Sequence, residues 1–302
     1  MQGRIALAHV NVATKGSTWR KLAVVALVHA LRLPLTLHLH AGEYPTFYRD
    51  LPRTGQRVVR WMFQAADCVI VLGESWRGFA EATLGVDPRR VEVLHNGIPD
   101  PLKSGVREVT RSVELEAGPL RLLFVGKLDA RKGVGDLLQA LADSGIAGGN
   151  WQLDVVGQGD SRPWHDLARK LDIAGQVNFA GWLGHVELTE LYRSADVFVL
   201  PSYAEGLSIA LLEAMAFRLA IVTTAVGAHE EVIENGVNGL VVCAGDVPAL
   251  SAALGRLLGN RTDREDFGRR ARASFVERFE LNEWTDRLLE IYQPMLDRTM
   301  AR

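Results

Sequence analysis

Short runs of Val, Ile and Leu, four to six residues long, recur along this chain with helical patterns between most of them. They are Ile5–Val10, Leu35–His40, Cys68–Leu72, Val91–Leu94, Arg121–Gly126, Gln152–Gly157, Val177–Ala180, Val197–Leu200, Ala220–Thr223 and Gly239–Val242. A strand that is apolar at nearly every position, not at every second one, is covered on both faces. Strands of that kind alternating with helices predict an α/β fold built on parallel sheets. The rhythm breaks over Pro99–Pro119 (PDPLKSGVREVTRSVELEAGP), which is polar and bounded by proline. It reads as a linker between two Rossmann-type domains, with four strands before it and six after.

Composition narrows the function classes. The chain has 302 residues, enough for two domains of ordinary size. A net charge of −2 argues against a dedicated nucleic-acid binder. The longest apolar stretch, Leu22–Leu39, is interrupted by His29, Arg32, Pro34 and His38, so it reads as a helix followed by a strand and not as a membrane span. Cys68 and Cys243 lie in apolar runs far apart, which suggests free buried thiols in a reducing, cytoplasmic setting. Charge is unevenly spread: residues 1–60 hold nine Lys or Arg and two acids. Arg49, Arg53, Arg57 and Arg60 would share one helical face. That face is either simply solvated or touches an anionic membrane surface or lipid-linked acceptor.

Ligands of doubly wound sheets gather at the carboxyl ends of the strands. After Arg121–Gly126 comes KLDARKG, where Lys127 and Lys132 flank a loop feeding a helix amino terminus, a setting suited to a diphosphate. After Gln152–Gly157, Gly157 and Gly159 allow close approach to the backbone. After Val197–Leu200 comes PSYAEGLSIALLEAMA. Glu205 falls in the loop, Ser208 can cap the helix, and Glu213 is the only charge between Ser208 and Phe217. An unpaired buried carboxylate costs several kcal/mol, so Glu213 needs donors. A structural arginine could serve; a ribose diol fits better, because one carboxylate can accept from two hydroxyls.

These motifs, with LDVVGQGD, VNFAGWLG, TTAVGAHEEVIENGVNGLVV, VLHNGI and LHLHAGEY, resemble the retaining nucleotide-sugar glycosyltransferases of the GT-B fold, glycosyltransferase family four (group 1). The likeness covers most of the chain. It implies a donor linked to UDP or GDP, no other cofactor and no metal. It implies that Lys127 and Lys132 hold the diphosphate and that Glu213 holds the ribose. Glu205 and His40 would contact the donor sugar. Gly206, Leu207, Ser208 and Ile209 would supply backbone N–H groups, with Gly157 nearby and Gly181 and Trp182 near the base. His38 is expected to be a paired core histidine.

The resemblance also implies an organisation: residues 1–105 as a partial acceptor-side domain, 106–281 as the donor domain, and 282–302 as a helix returning to the first. Relatives usually carry further βα units before the point where this sequence starts, so the amino-terminal domain is expected to be incomplete, with Ile5–Val10 as its edge. The expected function is transfer of a sugar, with retention, from a nucleotide-diphosphate sugar to a polysaccharide or lipid-linked acceptor, in the cytoplasm or at the inner membrane face. The alternatives are a nucleotide-sugar-binding remnant or subunit without turnover, and another enzyme of the same two-domain architecture.

Overall fold

All ten expected strands form, and every pairing between them is parallel. The structure is a computed structural model and describes residues 5–103, 118–143, 145–146 and 148–300. Most of the expected linker, residues 104–117, lies outside the described residues. The chain divides into two compact units, Met1–Gly97 with Glu205–Leu207 and Leu281–Arg302, and Ile98–Ala204 with Ser208–Glu280.

In the first unit the order is β1 (Ala8–Val12), α1 (Gly16–Ala30), β2 (Leu35–Leu39), α2 (Tyr44–Asp50), α3 (Arg53–Gln64), β3 (Cys68–Val71), α4 (Glu74–Gly78) and β4 (Val91–Val93). The strands lie in the order β1-β2-β3-β4, so β1 is an edge. It begins at Ala8, which pairs with Leu35, and not at Ile5, which is 65% exposed. All of β2 and β3 is buried, which is why they read as unbroken apolar runs. The arginine face needs correction. Leu51 and Pro52 are extended and separate α2 from α3, so Arg49 leaves the helix that carries Arg53, Arg57 and Arg60. Proline imposes this by pushing its predecessor out of the helical region.

The second unit holds β5 (Leu120–Val125), α5 (Val134–Leu141), β6 (Trp151–Val156), α6 (Arg162–Lys170), β7 (Val177–Gly181), α7 (His185–Ser194), β8 (Val197–Leu200), α8 (Ile209–Ala216), β9 (Ala220–Thr224), α9 (His229–Val232), β10 (Leu240–Val242), α10 (Val247–Gly259) and α11 (Arg261–Arg278). Its strand order is β10-β9-β8-β5-β6-β7. The chain winds outward from β5 in one direction and from β8 in the other. Its topological switch point therefore lies between β5 and β8, where ligands of such sheets bind. Cys68 is buried, its thiol pushed up to about 12 by burial and the nearby Glu92 and Asp67. Cys243, contrary to expectation, is exposed just beyond β10.

The last helix, α12 (Leu281–Met300), belongs to the first unit. Its Met295 joins Cys68, Ile70 and Leu94 in a small core flanked by Leu7, Trp284, Leu288, Ile291 and Tyr292. The Thr36 hydroxyl points at the Met295 sulfur 3.7 Å away. Burial of these apolar side chains holds the helix against the sheet, the buried Met295 contributing roughly 1.5–3 kcal/mol and the partly buried ones less.

Candidate functional site

The residues expected at the strand ends fall into two groups, one in each unit. In the second unit, Lys127 follows β5 directly, is exposed, and has its ammonium 3.5 Å from the Asp129 carboxylate. Lys132 closes a single helical turn, Ala130–Lys132, and is half-buried. Its Cδ lies 3.6 Å from the place a Cβ on Gly126 would occupy, so its stem crosses the end of β5. Sequence reasoning missed Arg131 between them. Its guanidinium donates to the Ala204 carbonyl at 3.0 Å, and its own carbonyl accepts from the Tyr203 N–H at 2.8 Å. The Tyr203 hydroxyl donates to Asp136 at 2.7 Å. These bonds tie the loop after β5 to the loop after β8. The available signal was a third cation in the loop.

Gly157 has φ +152, and a Cβ there would sit 1.8 Å from the Gly126 carbonyl oxygen. Its bare Cα thus lets the chain's own backbone after β5 pass close by. Its N–H donates to the Gly181 carbonyl at 2.8 Å. Gly181 has φ +69, and Trp182 beside it is 69% exposed. Ser208 stands at the amino terminus of α8, but its hydroxyl makes no capping bond, and Ile209 is the first helical residue.

Glu213 is half-buried on a helix whose Leu211, Leu212, Ala214, Met215 and Ala216 are all buried. Among the described residues the donor it requires is a tyrosine and not an arginine. The Tyr192 hydroxyl, from α7, donates to Glu213 Oε2 at 2.8 Å. Among the described residues, none donates to Oε1. Burial raises the Glu213 carboxyl above its ordinary value, while the Tyr192 bond and the nearby His185 oppose that rise. The helix therefore holds a carboxylate with one oxygen occupied and one open.

In the first unit, Glu205, Gly206 and Leu207 lie against the segment after β2. A Cβ on Gly42 would be 2.5 Å from the Glu205 carbonyl carbon, and one on Gly206 would be 3.6 Å from the His40 carbonyl oxygen. Gly42, which sequence reasoning also missed, is thus what lets Glu205 come close to His40. Glu205 is 9% exposed, and the Leu207 carbonyl accepts from Asn96 at 3.0 Å. His40 is open to solvent at one edge yet crowded elsewhere, and burial followed by the nearby His9 lowers it below the usual histidine value. Its ring lies 3.9 Å from that of His38, centroid to centroid. Asn11 Oδ1 lies 3.2 Å from His40 Nε2 and 3.0 Å from His9 Nε2, and the Tyr292 hydroxyl contacts His9 Nδ1. His38 is pushed down to about 2 by burial and the two neighbouring histidines, so it is neutral. Among the described residues its Nε2 has no partner.

A cavity of about 1110 Å³ opens elsewhere in the second unit, lined by Asp100, Arg193, Asp196, Arg218 and Arg272 among others. It lies at the amino ends of β8 and β9, and neither Lys127 nor Glu213 lines it. Among the described residues, no group of three or more His, Cys, Asp or Glu is placed to hold a metal ion.

Two family models match the chain: "Glycosyl transferases group 1" over residues 106–274, more than half of it, and "Glycosyltransferase Family 4" over residues 7–100. The glycogen synthase of Mycobacterium tuberculosis is 29% identical over 261 residues, covering 85% of this chain. The chain spans 62% of the length of that relative. Among solved structures, the sucrose-phosphate synthase of Thermosynechococcus elongatus superposes with a TM-score of 0.79 at 22% identity, covering 97% of this chain and 74% of its own. Anabaena HepE, solved in complex with UDP, superposes with a TM-score of 0.79 at 20% identity, covering 94% and 78%. At these identities the structures speak for a shared GT-B fold.

Proposed function

Because this chain belongs to the glycosyl transferases group 1, we propose that it moves a sugar from a nucleoside-diphosphate sugar to a polysaccharide or lipid-linked acceptor. The transfer retains configuration and uses no metal or other cofactor. The observation that carries the reading is Glu213, whose carboxylate keeps one oxygen open on α8, the helix that follows the switch-point strand β8. A ribose diol completes it. Lys127 and Lys132 take the diphosphate and stabilise the charge that grows on it as the sugar departs. The acceptor's proton passes to that leaving diphosphate. Glu205 and His40, neighbours within the first unit, are assigned to the donor sugar, and the N–H groups from Gly206 to Ile209 to its anionic tail. A UDP-linked donor is favoured, since HepE was solved with UDP. The test is calorimetric titration with UDP and GDP, then donor hydrolysis. Binding of neither nucleotide overturns the reading; binding without turnover makes the chain a nucleotide-sugar-binding subunit instead.

The acceptor side has its own support. Helices α1 and α3 contain no acid. They, with Leu31 just after α1, expose Trp19, Val24, Leu27 and Trp61 as well as Arg20, Arg53, Arg57 and Arg60, with His29 of α1 edge-on to Trp61 at 5.9 Å. Apolar and indole groups rimmed by arginine suit an anionic bilayer surface. No described helix is long and apolar enough to cross a membrane. Co-sedimentation with anionic vesicles, lost in Arg57→Glu/Arg60→Glu, is expected; equal sedimentation with neutral vesicles would rule the contact out.

A further inference from the structure

We propose that Tyr192 is a positioning residue for nucleotide recognition: its hydroxyl fixes the Glu213 carboxylate so that Oε1 alone meets the ribose hydroxyls. This rests on the ribose role of Glu213 and adds a residue to it. Tyr192 is 2% exposed, so no bulk water competes for its hydroxyl. Two acceptors lie within reach, Glu213 Oε2 at 2.8 Å and the Ala210 carbonyl at 3.3 Å. A hydroxyl has one proton to give, and the shorter contact with a charged oxygen takes it.

The ring is held as firmly as the hydroxyl. It stacks on Phe217 at 5.4 Å and 3°, and lies 6.2 Å from Phe198. Phe217 follows α8 directly, so the stack binds α7 to the helix that carries Glu213. Burial first, then the Glu213 charge and hydrogen bond, raise the phenol well above its ordinary value, so it remains a donor at any physiological pH. A rigid donor on one carboxylate oxygen fixes the rotation of the group. That preorganises the open oxygen before any ligand arrives. Besides Tyr192, His185 at the start of α7 is the titratable group that acts on Glu213.

The test is a double-mutant cycle between Tyr192→Phe and the ribose hydroxyls. UDP and an analogue lacking both hydroxyls are titrated against the full chain and the variant, in a His185→Gln background as well. Phenylalanine keeps the stack; loss of a hydrogen bond to a charged group should lower the thermal midpoint by a few degrees, and an unchanged near-UV circular dichroism spectrum confirms that the packing is kept. The variant is expected to bind UDP about tenfold more weakly while binding of the analogue stays unchanged, the size of one hydrogen bond to a charged group. Loss of a bond that favours the ionised carboxylate also moves the acid limb of UDP binding to higher pH in the variant. The ligand's own ionisation cancels in the ratio. If UDP and the analogue weaken equally, or neither weakens, Tyr192 does not position Glu213 and the inference is overturned. If the unmodified chain itself fails to prefer UDP over the analogue, the ribose role of Glu213 falls, and the inference falls with it.

Discussion

The two ends of the six-stranded sheet treat charge in opposite ways. At the amino ends of the strands, charges complete one another. The Arg272 guanidinium grips Asp100 with bonds of 2.8 and 2.7 Å and also donates to the Ala216 carbonyl. Burial pushes the Asp100 carboxyl up, but the Arg272 bonds, the Leu102 N–H and the Arg272 and Lys103 charges together hold it below its ordinary value. Asp196 accepts from the Arg121 N–H at 2.8 Å, and Lys103 lies 3.4 Å from the buried Glu280. Past the carboxyl ends, Glu213 on α8 keeps an open oxygen, and Lys127 is exposed with only a 3.5 Å pairing to Asp129. The large cavity is at the completed end. The proposed site therefore rests on polar groups left incomplete on a rigid frame and not on the size of a cavity.

That contrast can be broken in several ways. The largest effect is expected from Arg272→Met, which strands the buried Asp100. It should cost about 3 kcal/mol, the low end for a broken buried pair because Arg272 keeps some exposure. Differential scanning calorimetry should show a fall of roughly 10 °C, with nucleotide affinity of the folded protein unchanged. Next comes Lys127→Ala/Lys132→Ala. Turnover of the donor should fall about a hundredfold, as for loss of groups that stabilise transition-state charge, while the melting temperature holds. A pair variant with normal turnover would remove the diphosphate assignment.

Glu213→Gln should weaken UDP about tenfold and yet raise the melting temperature at neutral pH. The sign follows from its raised carboxyl. Above the folded value the ionised group destabilises the fold, and below the unfolded value of 4.5 that penalty is gone. The stabilisation by glutamine should therefore vanish in acid; stabilisation that is the same at every pH would refute this account. The smallest effect is expected at Arg269→Ala, whose pairing with Asp266 at 2.8 Å is exposed. Neither melting nor binding should move measurably.

Parts of this contrast were legible in the sequence. The motif around YAEGLSIALLEAMA showed that Glu213 needs a donor, but not that Tyr192 supplies one. Tyr192 and Glu213 are 21 residues apart on different helices, and helical periodicity relates only residues a few positions apart. Arg131 and Gly42 were missed for a similar reason. Arg131 stood among other loop cations, and its role exists only once the loop after β8 comes alongside. A glycine in a loop gives no sign of which backbone will press on it.

By itself, the sequence determined the strand count, the parallel sheets, the family and the types of group at the strand ends. Those follow from local periodicity and from motifs read within single stretches of chain. Only the tertiary structure decided which charges are completed and which stay open. Hydrogen-bond satisfaction depends on distances of a few ångströms between segments far apart in sequence, and folding alone sets those distances.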